Sequence, residues 1–139
     1  AGATCKVGDV AEYMAKSESI EAGDIVSSDK DLKLSKAVRA DKTVIGVVST
    51  SPFLEMNKEN YPGGAPLALT GLVDVKVTNE NGQISAGDFI TASSKPGFGM
   101  KAVEPATVIG KALEDFNGEN GKIKVVLGLS WFAGANCQK

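Results

Sequence analysis

The sequence predicts an all-β fold: an internally duplicated, compact β-barrel or sandwich with a long loop between its two repeats. Three observations carry that expectation. Short segments rich in Val, Ile and Thr alternate with clusters of Gly, Asp, Asn and Ser, the strand-and-turn pattern of barrels and sandwiches. No segment sustains an apolar period of 3.6 residues, so no amphipathic helix is signalled. One set of phrases also occurs twice. Residues 20–26 read I-E-A-G-D-I-V and residues 84–90 read I-S-A-G-D-F-I. K-A-V begins at Lys36 and again at Lys101, and V-I-G at Val44 and again at Val108. Gly87 follows Gly23 by 64 positions, Ala102 follows Ala37 by 65, and Gly110 follows Gly46 by 64. Matched phrases at a near-constant spacing mark a duplication. The pseudo-repeats cover about residues 19–50 and 83–115, inside a single domain over residues 1–139, a length typical of one domain.

The elements follow in order. Residues 9–16 read as a strand or an irregular start. Residues 24–28, 32–37 and 43–50 are short β segments bounded by turn formers. Residues 67–78 alternate, with Val73, Val75 and Val77 on one face and Asp74, Lys76 and Thr78 on the other. That is a half-buried strand of period two, and Gly71 within it predicts a bulge or bend. Residues 79–82 end in Asn81-Gly82, a strong hairpin signal. Strands are expected again over 89–93, 99–103, 106–113 and 122–131, with a turn over 115–121 holding two Asn-Gly steps. In A-G-D, glycine takes a turn conformation that side chains resist, and Asp accepts hydrogen bonds from nearby amides. The phrase therefore reads as a turn feeding a strand, ahead of any catalytic or metal role for Asp24 and Asp88.

Residues 51–66 form the long non-repetitive stretch. It carries Phe53, Leu54, Met56 and Tyr61, then Pro62 and a Gly63-Gly64 pair. Such a loop packs on its own aromatics or offers a contact surface. We read Phe53, Leu54, Met56 and Tyr61 as the candidate assembly surface.

Composition narrows the function. The 15 basic and 17 acidic residues leave a net charge of −2, which gives no footprint for nucleic acid and no polybasic membrane patch. The apolar runs are too short for a membrane-spanning helix. There is no histidine, which removes the commonest general base and metal ligand. Triads that need histidine are thereby excluded. Two cysteines are too few for the usual zinc sites, and the acidic turns do not match the spacing of a calcium-binding helix-loop-helix. No metal and no cofactor is expected. The start of the chain has neither an initiator Met nor the form of a signal peptide, so a processed or excised form is expected. Cys5 and Cys137 lie near opposite ends. Chain ends often lie close together, so an intrachain disulfide, an interchain disulfide and two free thiols all remain open. Either disulfide implies a setting outside the cytoplasm.

Asp9 and Glu12 form D-x-x-E. Paired carboxylates can do acid/base work without histidine when burial raises one of them, but spacing alone says little. No motif activates any Ser, Thr or Lys, and most of the Phe, Tyr and Trp side chains are expected in the core.

Read in order, G-D-V-A-E-Y (residues 8–13), I-E-A-G-D-I-V, V-I-G-V-V-S-T-S-P (44–52), L-T-G-L-V-D-V-K-V, N-G-Q-I-S-A-G-D-F-I-T-A-S-S-K-P-G (81–97), T-V-I-G-K-A-L-E (107–114) and L-G-L-S-W-F (127–132) make a set. The set resembles the C-terminal β-rich modules of bacterial and archaeal surface proteins. More distantly it resembles the autoproteolytic intramolecular-chaperone domains that end phage appendage and tail-spike proteins. The likeness runs over residues 8–132. The phage resemblance implies a β-rich, usually trimeric fibre and a self-cut just before the Asp of D-x-A-E-Y, with the Glu as the catalytic carboxylate. Those positions are Asp9 and Glu12 here, and Gly8 stands where the family pattern has Ser.

Together these readings lead to an expectation of an extracellular or cell-surface structural protein, not an enzyme. It self-assembles into an oligomer, filament or appendage, with contact to a cell surface or glycan as a further partner class. The alternatives are an autoproteolytic chaperone domain using Asp9 and Glu12, and a carbohydrate- or surface-binding module.

Overall fold

The computed structural model describes residues 8–17 and 20–134. Ten strands follow one another: β1 (Asp9–Met14), β2 (Ile25–Ser28), β3 (Leu34–Lys36), β4 (Val44–Val48), β5 (Leu54–Met56), β6 (Ala65–Thr78), β7 (Phe89–Ala92), β8 (Gly99–Lys101), β9 (Ala106–Ala112) and β10 (Asn120–Phe132). The helical content of the described residues is one 3-10 turn, Lys58–Asn60. Among the described residues no helix is long and apolar enough to cross a membrane. The fold is all-β, as the segment pattern predicts, and the observed strands fall within a few residues of the expected ones.

The duplication is physical. Gly23 N donates to Val48 O at 2.8 Å, and Gly87 N donates to Ala112 O at 2.7 Å. Val48 N returns a bond to Asp24 O, and Ala112 N returns one to Asp88 O. Ala37 N donates to Ile25 O, and Ala102 N donates to Phe89 O. Gly23 and Gly87 have φ of +91° and +96°, the left-handed region that favours glycine. The A-G-D phrase is thus the same turn built twice.

Each copy closes through its pairings. In the first unit β1 pairs with β6, β6 with β4, β4 with β2, and β2 with β3. A parallel bridge, Lys16 to Leu34, brings β3 back beside the end of β1. In the second unit β6 pairs with β10, then β10 with β9, β9 with β7, and β7 with β8. The parallel contact of Val77 with Gly99 closes the circuit. The long strand β6 serves both units. Its first half meets β1 and β4, and its second half meets β10. The change of partner falls at Gly71, whose φ is +111°. A Cβ there would overlap Gly8 O and stand 2.7 Å from Asp9 Cα. The predicted bulge is present, with Leu69 as the extra residue opposite Val10 and Ala11.

The interior is aliphatic. One cluster (Val26, Leu34, Val48 and Leu67, with Met14 packed on it) fills the first unit. A larger one joins Val75, Ile84, Ile90 and Ile123 of the second unit to Ile25 and Val47 of the first. Fully burying each such side chain contributes about 1.5–3 kcal/mol.

Three expectations are corrected. No Phe, Tyr or Trp side chain is fully buried, because rings of short strands leave a lumen that Val, Ile and Ala already fill. Asn81-Gly82 makes a turn, with Gly82 N donating to Asn79 O at 2.8 Å, but it does not make a hairpin. β6 pairs with β10 and β8 and not with β7. The hairpin instead lies across residues 115–121, between β9 and β10. Residues 51–66 are not a bare loop: they hold β5, parallel to β1, and the 3-10 turn.

Candidate functional site

The most site-like feature is the seam between the two units. The repeated K-A-V runs into Arg39 in the first copy and Glu104 in the second. These matched positions carry opposite charges and meet, with Arg39 Nη2 2.7 Å from Glu104 Oε1. Arg39 also reaches Glu80 at 3.5 Å. The Glu80 carboxylate accepts bonds from Ser94 N and Ser94 Oγ, both 2.8 Å. Those bonds hold it below the ordinary carboxylate value, with Arg39 adding to the effect and burial opposing it. Beside this staple the β3–β4 loop faces the β8–β9 loop. Between them lies a cleft of about 280 Å³ lined by Asp41, Lys42 and Val44 on one side, and Pro105, Thr107 and Trp131 on the other. A smaller hollow of about 60 Å³ continues it past Arg39, Asn81 and Glu104. Asp41 is fixed by its own turn: it accepts bonds from Thr43 N, Thr43 Oγ1 and Ser27 Oγ. Burial pushes against its charge, but those bonds outweigh it and its carboxyl stays low.

No family model matches the chain, and no curated protein matches it.

The sequence-read residues are placed as follows. Asp9 opens β1, is 4% exposed, and its Oδ2 has no hydrogen-bond partner among the described residues. It lines a cleft with Thr50, Ser51, Asp74 and Lys124. Glu12 lies three residues on. Successive strand side chains alternate, so Asp9 and Glu12 project from opposite faces of β1. The structure does not bring them together as one acid/base pair. Phe53, Leu54, Met56 and Tyr61 do form one exposed region, at 63%, 52%, 38% and 38% exposure. They surround β5, whose pairing among the described residues is to β1 alone. Tyr13 Oη donates to Glu55 Oε1 at 3.2 Å, tying the two strands. Cys5 and Cys137 lie outside the described residues.

Asp24 and Asp88 are turn residues. Each Oδ2 accepts a 2.8 Å bond from the amide three residues earlier, Glu21 N and Ser85 N respectively. They differ in surroundings. Asp24 is fully buried, and Lys76 Nζ stands 2.9 Å from its Oδ1. Lys76 also meets Glu21 at 2.7 Å. Burial works against the Lys76 ammonium, but the two carboxylates outweigh it and raise its pKa. Among the described residues no group of three or more Asp, Glu, His or Cys is arranged to hold a metal.

Sequence reasoning missed the seam. The available signal was the opposite charge at the matched positions after K-A-V, which marks where two copies of a unit face each other.

Proposed function

We propose that the protein is an extracellular structural subunit that self-associates through the β5 edge into an oligomer or filament. The observation that supports this reading is β5 itself. It is an edge strand with all three residues exposed, flanked by exposed Phe53 and Tyr61. Unpaired edges template pairing with another chain unless they are blocked by charge, Pro or a bulge. β5 is short and carries Glu55 at its centre, but Tyr13 Oη and Lys58 Nζ engage that carboxylate, and Leu54 and Met56 present apolar surface on either side of it. An added strand gains main-chain hydrogen bonds along the edge and buries Leu54 and Met56.

Sedimentation velocity over a wide concentration range tests the reading. Concentration-dependent growth of the sedimenting species is the expected result. A single monomer boundary at the highest concentration would defeat it. The self-cleaving alternative receives no support from Asp9 and Glu12, which stand on opposite faces of one strand.

A further inference from the structure

Trp131 is the sole tryptophan of the chain, and it is 67% exposed in the wall of the seam cleft. A large ring left in water forgoes the roughly 1.5–3 kcal/mol that burying a large apolar side chain provides. The neighbouring charges are mostly spoken for. Arg39 is paired with Glu104 and Glu80. Asp41 spends its acceptor sites, about four for a carboxylate, on Thr43 N, Thr43 Oγ1, Ser27 Oγ and the Val38 amide. Thr91 Oγ1 donates to Thr107 O at 2.7 Å. Lys42 is exposed, and among the described residues its ammonium is given no ion pair or hydrogen bond. The rest of the cleft lining includes the apolar Ala40, Val44, Ala92, Pro105 and Ala106.

A complementary ligand has one apolar face for the indole, hydroxyls for a free ammonium, and no net charge. A pyranose ring has this chemistry: C–H groups on its faces and hydroxyls at its edge. The cleft, about 280 Å³, is near the roughly 300 Å³ lower limit of small-ligand sites, the scale of a single sugar ring with its substituents. We propose that the seam cleft binds a neutral pyranose residue of a glycan, stacked on Trp131 and hydrogen-bonded by Lys42 Nζ. The site belongs to neither unit alone, since Asp41 and Lys42 come from the first and Trp131 from the second.

The inference does not depend on self-assembly through β5, and one experiment separates them. The full chain is titrated with the methyl glycosides of glucose, galactose, mannose and N-acetylglucosamine, following Trp131 emission in parallel series at a low and a high protein concentration. The expected result is a saturable blue shift with at least one glycoside. Lys42→Ala is expected to weaken that binding about tenfold, the loss of one charge-assisted hydrogen bond. Trp131→Ala, followed by nuclear magnetic resonance, is expected to lose the binding while the melting temperature holds, because the side chain is exposed. Unchanged emission up to about 50 mM of every glycoside, well above the roughly 1 mM Kd of a weak site, would overturn the proposal. So would an emission that shifts with protein concentration but not with sugar, which would assign Trp131 to a contact between copies. Undiminished binding by Lys42→Ala would overturn the assignment of the cleft.

Discussion

Asp24 and Asp88 make the same turn bond, yet they are not equally important to the fold. At Asp88, which is only partly buried, the bond to Ser85 N is worth about 0.5–1.5 kcal/mol. At Asp24 the same bond is joined by a buried ion pair to Lys76, which is 12% exposed. Removing one partner of a buried pair costs roughly 3–5 kcal/mol. Glu21 stays beside Lys76, so the lower end applies. We expect Asp24→Ala to cost about 3 kcal/mol and Asp88→Ala about 1 kcal/mol in urea denaturation; equal losses would show that the ion pair adds nothing. Glu80 sets a pH dependence. Its carboxyl lies below the ordinary 4.5 in the folded chain. Its contribution is therefore fully present above 4.5 and is lost as pH falls through the lower folded value. Glu80→Gln should melt below the parent at neutral pH, and the gap should close as the solution is acidified below 4.5. A gap that does not change with pH would contradict this.

β5 is the element on which the assembly reading stands. Both of its large side chains, Leu54 and Met56, are exposed. They also lie on a strand whose other edge is unpaired among the described residues, so lysines placed there would repel an incoming copy at no cost to the core. We expect Leu54→Lys with Met56→Lys to sediment as a monomer at concentrations where the parent associates, with an unchanged melting temperature. Association that survives both lysines would place the contact elsewhere. The strands themselves were legible from alternation, and β6 most clearly, since Val73, Val75 and Val77 keep strict period two. The partners of that strand were not legible. Asn81-Gly82 has hairpin chemistry, but the strand before it is already occupied by β10 and β8, so the turn redirects the chain without pairing its flanks. Gly121 was read as part of a turn, whereas it is the second residue of β10 and is small because the Phe116 ring lies over it, 2.6 Å from where a Cβ would stand.

At the scale of the molecule, two units share β6 and meet along a seam pinned by Arg39 and Glu104. That pair is exposed at 46% and 67%, and exposed pairs contribute about 0–1 kcal/mol. It therefore fixes how the units face each other more than how stable they are. We expect Arg39→Glu and Glu104→Arg each to lower stability slightly, and the double exchange to recover part of the loss. A double-mutant cycle in chemical denaturation should give a coupling below about 1 kcal/mol, and no recovery would mean that the charges do not communicate.

The sequence by itself determined the all-β class, the strand positions other than β5 and the duplication, because alternation, turn chemistry and repeated phrases are local properties that a chain carries whatever it packs against. Only the tertiary structure decided the rest. It joined the two units through one strand, left the aromatic rings exposed or only partly buried, parted Asp9 from Glu12, and brought Trp131 beside Asp41 and Lys42 across the seam. Each of these depends on which strand takes which partner. That choice is settled by competition among many similar edges for the same hydrogen bonds and the same small interior, and no single segment encodes its outcome.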